Sequence, residues 1–462
     1  MTYQLLQADA RHLPLADESV HLIVTSPPYF GQRTYTDGGS HVEEQIGLEA
    51  SPDEFLAALN EVMRECWRVL HPAGSVFVNL GDKRAGSRAP GTTSGLGRSV
   101  QGDRAGGTRY STEWLGRAKS KQLLPHRFAI NCIDGLADPN ADGWILRQDL
   151  VWLKPNGLPE SVTDRTRDDH EYWFHLTKAG DYFAQQDAIR EPYSDGTNPG
   201  RADGDASPYQ HRLTALGRQR HDAHPLGRMP GSVWRIPSEP LKVPPELEVE
   251  HFAAFPSEWP RRLILGYSPD GICTACGEGR RIVASTVQHP YRDGGASGRA
   301  KRQDAAGTHE HGFNAAGYPQ TRSESHLVGS VCACTPYRDV ERPARGTSTG
   351  CNLDPRHEKW HGDPGGRRRT FDRIWLLDEW TPAPTTPAVV LDPFGGTGTV
   401  AAAAHALGRH GISLDLSADY QRIARWRIEE SGLVERIRAR TFPSASHPPR
   451  RPRYNTDHPS LF

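Results

Sequence analysis

The chain has 462 residues, and its 55 Lys and Arg against 56 Asp and Glu leave a net charge of −1, so any contact with a polyanion must be local. Hydrophobic residues make up 36%, and 46 Gly with 37 Pro imply long loops between the packed parts. No run approaches the ~18 apolar residues of a membrane span, and the first residues lack the charged-then-apolar layout of a signal peptide, so the sequence reads as cytoplasmic.

Val20 to Thr25 is a short β-branched run that stops at Ser26-Pro27-Pro28, as a buried strand would. A helix is predicted from Ser51 to Leu70. Ser51 and Glu54 form a capping box around Pro52, and Phe55, Leu56, Leu59, Val62, Met63, Cys66, Trp67 and Leu70 repeat at three and four. His71 to Gly74 should end it, with Ser75 to Leu80 as the next strand. Strand, helix and strand in succession predict a parallel sheet with covered faces, an α/β fold.

From Arg84 to Gln122 the composition turns to Gly, Ser, Arg and Thr, which predicts a mobile loop. Apolar runs return at Trp144–Leu146, Leu150–Leu153 and Tyr172–Leu176. A second polar stretch, Asp195 to Pro230, precedes Gly231–Pro237; most of the cysteines lie in 271–370, and the α/β pattern resumes from Ala388 to about Val434. The segment from Arg436 to Phe462 reads as a frayed basic tail.

Ala388 to Leu391 is an apolar strand that runs into Asp392-Pro393-Phe394-Gly395-Gly396-Thr397-Gly398-Thr399, then a small-residue helix from Val400 to Leu407. A second strand, Gly411 to Asp415, ends in an acid. Strand, glycine turn, helix, strand and acid is the logic of a nucleotide-binding unit, in which glycines admit a ligand close to backbone and the acid accepts from ribose hydroxyls. No third glycine completes a dinucleotide fingerprint, and no Gly-Lys-Ser/Thr triplet makes a phosphate loop. A cofactor with ribose and no phosphate is expected, S-adenosylmethionine above all.

Ser26-Pro27-Pro28-Tyr29 sits just past a strand's carboxyl end, where α/β sheets bind ligands. An exocyclic base amine is a poor nucleophile, because its lone pair is delocalised into the ring. Ser26 Oγ and the Pro27 carbonyl can accept its N–H bonds and free that lone pair, while Tyr29 stacks on an extruded base.

With these two motifs in this order, the chain resembles the permuted, beta group of DNA amino-methyltransferases, in which Ser/Asp-Pro-Pro-Tyr precedes Phe-x-Gly-x-Gly. Leu6–Ala10 with Asp17–Val20, Lys154–Asn156, Glu160–Arg165, His170–Tyr172, Ser232–Trp234, Ile236–Pro240 and His251–Pro256 are similar to further segments of that family. Two departures stand out: Thr397 replaces the family's usual Ser, and Gly271–Pro387 interrupts the chain before the cofactor strand. The resemblance implies a Rossmann-like S-adenosylmethionine-dependent methyltransferase sheet of permuted order with a Cys-rich insertion. Its expected parts are a catalytic half at 1–83, a flexible loop at 84–122, and the rest of the catalytic region at 123–270, with target recognition about 185–230. The insertion at 271–387, a cofactor-binding half at 388–435 and a tail at 436–462 complete it. The implied catalytic residues are Ser26, Pro27, Pro28 and Tyr29. The implied cofactor residues are Asp9, Ala10, Thr25, Asp392, Phe394, Gly395, Gly396, Thr397, Gly398, Thr399 and Asp415.

The implied substrate is double-stranded DNA, with a companion restriction endonuclease as a further partner. Within the family a first-position Ser leans toward cytosine N4, and adenine N6 is the alternative. Cytosine C5 methylation would need a nucleophilic thiolate, usually in a Pro-Cys pair, and none of the 7 Cys follows a Pro. A catalytically silent DNA-binding protein is the reading from a different class. Cys273-x-x-Cys276 and Cys332-x-Cys334, 55 residues apart, suggest a structural zinc site, with Cys351 and nearby histidines as substitute ligands. Among 8 Lys and 47 Arg, the clusters at Arg98–Arg109, Arg212–Arg228, Arg367–Arg369 and the tail are the available phosphate contacts.

Overall fold

A computed structural model of the chain describes residues 3–31, 36–37, 40–41, 45–85, 117, 119–140, 142–157, 160, 162–191, 228–241, 243–247, 254–290, 321–341 and 371–441. These fall into two units, one of residues 1–188, 231–271 and 387–462, the other of residues 189–230 and 272–386.

The first unit is built on an eight-stranded sheet. Its strands, numbered in chain order, are β1 (Tyr3–Gln7), β2 (Val20–Thr25), β3 (Leu70–Leu80), β4 (Ile145–Leu153), β5 (His170–Thr177), β6 (Val233–Arg235), β7 (Val389–Asp392) and β8 (His410–Asp415). Across the sheet they run β1-β8-β7-β2-β3-β5-β4-β6. The first five are mutually parallel, whereas β5 is antiparallel to both β3 and β4. The last strands in the chain, β7 and β8, thus lie inside the sheet between β1 and β2, which is the permuted order expected.

The helices are α1 (Pro52–Val69), α2 (Leu124–Ile133), α3 (Glu258–Tyr267), α4 (Thr399–Ala406), α5 (Ala418–Glu429) and α6 (Leu433–Thr441). Ser51 caps α1 as predicted, its Oγ accepting from the Glu54 N–H at 3.2 Å, while the Glu54 carboxylate reaches back to the Ala50 N–H at 3.0 Å. The helix buries Phe55, Leu56, Leu59, Val62, Met63 and Cys66. Its end differs from expectation. Leu70 enters β3 directly and pairs with Val20, and the register slips before Leu22 meets Ser75, so Pro72–Gly74 bulges out of the strand. A Cβ on Gly74 would lie 2.7 Å from Leu70 Cδ1 and 3.0 Å from the His21 carbonyl, so a larger residue there would have to displace the Leu70 side chain.

Two cores lie on opposite faces of the sheet. One joins α1 and α2 to Ile23, Val76, Leu391, Ile412 and Leu414; the other joins α3, α4 and α6 to Leu22, Val24, Phe77 and Val390. Alternate residues of β2 therefore feed both cores, as expected of a parallel strand covered on each face. Chain order continues past the expected start of the tail: α6 runs to Thr441 with Ile437 fully buried. Among the described residues no helix is long and apolar enough to cross a membrane.

The second unit carries antiparallel ribbons, pairing Arg281–Pro290 with Thr321–Val331 and Tyr337–Glu341 with Phe371–Trp375, and a short pair of Ile272–Cys273 with Thr385–Thr386. Most of the predicted loops at 84–122 and 195–230 lie outside the described residues.

Candidate active site

β2 and β7 are neighbours in the sheet, with Leu22 beside Val390 and Ile23 beside Leu391. Beyond β2 the chain turns into α1 on one face, and beyond β7 it turns into α4 on the other. Departure in opposite directions opens a crevice at the strands' carboxyl ends, the place where open α/β sheets bind ligands. A cleft of about 840 Å³, counted to its open mouth, lies there. Its walls include Asp9, Ala10, Ser26, Pro28, Phe394, Gly396, Thr397 and Asp415 of the predicted residues, and also Ala8, Gln45, Ile46, Pro393, Leu416, Ser417 and Tyr420.

The glycine loop owes its shape to close packing. A Cβ on Gly395 would fall 1.9 Å from Ser413 Oγ, and Gly398, at φ +74°, starts α4 with its Cα against Ala424. Four of the loop's amides are already committed. Phe394 N–H donates to Asp392, Gly395 N–H to the Leu414 carbonyl, Gly396 N–H to Asp415 Oδ2 at 2.9 Å and Gly398 N–H to the Gly395 carbonyl. Four inward-directed N–H groups therefore do not converge on the cleft to make an anion nest.

Asp415 also accepts from the Ser417 N–H at 2.9 Å, so its carboxylate is oriented at the cleft wall by both the loop and the start of α5. Asp9 is gripped by Arg11, whose Nε and Nη2 donate to it at 3.0 and 2.7 Å while the Arg11 N–H donates at 2.8 Å. Partial burial pushes the Asp9 pKa up, but these bonds outweigh it and hold the carboxyl below its ordinary value.

Thr25, Asp392, Gly395, Gly398 and Thr399 stand behind the cleft wall and do not line it. Thr25 Oγ1 donates to Asp392 Oδ1 at 2.7 Å, and Asp392 Oδ2 is buried with no partner among the described residues. Burial pushes the Asp392 pKa up to about 7, the charge on Asp415 adding to it while the bonds from Thr25 and Phe394 pull the other way. Thr397 and Thr399 are held by Arg427, whose Nη1 donates to the Thr397 carbonyl at 3.0 Å, Thr397 Oγ1 at 2.6 Å and Thr399 Oγ1 at 2.7 Å. Burial lowers the Arg427 pKa to about 10. In the sequence Arg427 is marked only as an Arg amid the apolar positions of α5.

On the other side of the crevice, Ser26 Oγ donates to Asn79 Oδ1 at 3.2 Å and the Tyr29 hydroxyl lies 3.0 Å from the same oxygen. Asn79 is 1% exposed at the end of β3, and its Nδ2 donates to the Tyr172 carbonyl at 3.0 Å. Asn79 was not anticipated either. The Tyr29 hydroxyl is also 2.9 Å from Glu171 Oε2, and Glu171 pairs with Lys154. Pro27 is buried. The segments 154–156 and 170–172, far apart in the chain, are thus brought to the Ser-Pro-Pro-Tyr turn by the antiparallel pairing of β4 and β5.

In the second unit Cys273, Cys276, Cys332 and Cys334 come together, with all four Sγ atoms within 4.8 Å of one another. Each pair sits on a tight knuckle: Gly277 at φ +75° donates to the Cys273 carbonyl at 2.8 Å, and Thr335 N–H donates to the Cys332 carbonyl at 2.9 Å. Backbone N–H groups of Ala275 and Cys276 directed at its sulfur lower the Cys273 pKa to about 6. Cys351 and the clusters Arg98–Arg109 and Arg367–Arg369 lie outside the described residues, as does Arg212–Arg228 except for Arg228, which pairs with Glu191 at 3.0 Å.

The profile of the DNA methylase family, the N6 and N4 amino-methyltransferases, matches residues 20–274 and 385–425. The type II methyltransferase M.Cfr9I of Citrobacter freundii is 34% identical over 275 residues, 58% of this chain and 73% of that protein. M.SmaI of Serratia marcescens, also a type II methyltransferase, is 30% identical over 274 residues, 58% of this chain and 76% of its own length. Among solved structures, PvuII DNA methyltransferase (cytosine-N4-specific) aligns over 96% of this chain and 93% of its own at 13% identity and a TM-score of 0.45, a likeness that adds nothing to the family match. With well over half its length matched, and with both motifs at one crevice in the permuted order, the chain belongs to the N6/N4 DNA methylase family.

Proposed function

We propose that the protein transfers a methyl group from S-adenosylmethionine to the exocyclic amine of a base flipped out of duplex DNA, with cytosine N4 as the acceptor. The observation that carries this reading is the hydrogen bond from Ser26 to Asn79 at the edge of the cleft. By giving its proton to Asn79, Ser26 turns oxygen lone pairs outward, where they can accept an amine N–H. A neutral hydroxyl is a weaker acceptor than a carboxylate, and Ser in this place favours the cytosine amine. Tyr29 offers a face on which the flipped base stacks.

The cleft suits S-adenosylmethionine. Asp9 and Asp415 put carboxylates at the cleft wall, where they can accept from the hydroxyls and amine of a nucleoside. Bound in this cleft, S-adenosylmethionine would supply an electrophilic methyl and leave as the neutral thioether, while Ser26 Oγ and the Pro27 carbonyl would accept the amine N–H bonds and its proton would pass to water. Arg427 keeps the loop in shape, and Asp9 and Asp415 orient the nucleoside part.

The four-cysteine cluster suits a structural Zn²⁺. Thiolates on two knuckles with sulfurs within 4.8 Å match a tetrahedral set, and catalysis by methyl transfer needs no activated water. In this reading 271–387 is an insertion that folds on the metal. Double-stranded DNA is the partner, Arg212–Arg228 its recognition segment, and the type II relatives imply a companion restriction endonuclease.

The test is transfer of labelled methyl from S-adenosylmethionine to DNA of varied sequence. The wild type should label DNA and not RNA. Ser26→Ala with Tyr29→Ala should abolish transfer and keep cofactor binding, and retained transfer would overturn the site assignment.

A further inference from the structure

We infer that Glu171, held by Lys154, is a positioning residue that fixes the Tyr29 ring as a ready-made platform for the target base; the inference rests on the function proposed above. The Tyr29 hydroxyl has one proton, and among the described residues Asn79 Oδ1 lies 3.0 Å and Glu171 Oε2 2.9 Å from it. Asn79 Oδ1 already accepts from Ser26, and a carboxylate is the stronger acceptor. The phenol proton therefore goes to Glu171.

Glu171 is itself well anchored. Its side chain is 17% exposed, and its second oxygen meets Lys154 Nζ. Lys154 Nζ lies 4.3 Å from the centroid of the Trp152 ring, and its backbone N–H donates to the Asp169 carbonyl at 2.9 Å. A carboxylate this sheltered needs its counter-charge, and the pair ties the end of β4 to the hydroxyl of Tyr29. Gly81 packs close against the same ring: a Cβ there would lie 2.5 Å from Tyr29 Cε2. The ring is thus restrained at its hydroxyl and packed against Gly81.

Extruding a base costs stacking and pairing energy, and a mobile ring would add the entropy of ordering itself on every encounter. Glu171 removes that second cost without touching the reacting atoms. Loss of the contact should thus weaken DNA binding in the flipped state while sparing the chemical step.

Two variants and their combination test this on DNA that the wild type methylates. Tyr29→Phe keeps the ring and removes only the hydroxyl, and Glu171→Gln keeps the shape and removes the charge. Each should raise KM for DNA about tenfold, the size of one charge-assisted hydrogen bond, with kcat changed by less than about threefold and cofactor affinity unchanged. The double variant should be no worse than either single one, because both remove one contact. Multiplied KM effects would show that Glu171 acts elsewhere and would overturn the inference. So would a wild-type KM in Tyr29→Phe, whatever the folding of the Glu171 variant. A wild type that transfers no methyl overturns the proposed function and this inference with it, whereas an active wild type matched by Tyr29→Phe overturns the inference alone.

Discussion

At the scale of single residues, the site depends on buried polar groups that the cleft never exposes. Asp392 holds its proton up to about 7 chiefly because it is buried, whereas in the unfolded chain it ionises near ~3.9. Between those values the folded state binds more protons, so stability present below about pH 4 is lost as pH rises through about 7. Asp392→Asn mimics the neutral acid. It should flatten the dependence of melting temperature on pH between about 4 and 7 and melt higher than the wild type above about 7; an unchanged slope in thermal melts would contradict the assignment. Arg427 acts on the opposite side of the loop. Arg427→Met strips partners from Thr397 and Thr399, and calorimetry should find S-adenosylmethionine bound at least about tenfold more weakly, since bonds to a charged group are worth about 1.5–3 kcal/mol. Unchanged affinity would show that the loop holds its shape alone. The motif residues Ser26 and Gly395 were legible because their types and order are unusual together. Asn79, Arg427 and Glu171 were not, because each acts on a motif from a distant strand or helix, and no local pattern marks a partner that only the sheet brings near.

Local signals decide which elements can be read from the chain. The α1 helix carries its own start, with Ser51, Pro52 and Glu54 in place, and β2, β7 and β8 show as short apolar runs. Ser51→Ala should destabilise the protein by about 1 kcal/mol in denaturant unfolding, and no change would mean that the cap is replaced by water. By contrast α2 begins at Leu123 in a left-handed conformation, and Asp82, some forty residues earlier, accepts its first N–H groups at 3.1 Å. Nothing near Leu123 announces that start. The α6 helix hides for another reason: Leu433, Val434 and Ile437 are buried, but the arginines among them give the segment the composition of a tail. The antiparallel turn of β5 between β3 and β4 also escapes the chain order, since strand pairing is a matter of register and core.

At the scale of the whole molecule, the chain makes one catalytic unit from three separated stretches and a second unit around four cysteines. The permuted order was legible because the Ser-Pro-Pro-Tyr turn precedes the glycine loop, and a sheet can take interior strands from the end of the chain. The cysteine cluster predicts about one zinc per chain by elemental mass spectrometry, lost in Cys276→Ser. A metal-free wild type purified without chelator would contradict it.

Methylation of an exocyclic base amine in DNA is read out by mass spectrometry of nucleosides from DNA incubated with the protein and S-adenosylmethionine. N4-methylcytosine is the predicted product. N6-methyladenine would keep the Ser26 chemistry and overturn the choice of base, and DNA of varied sequence left without any methylated amine would contradict the account.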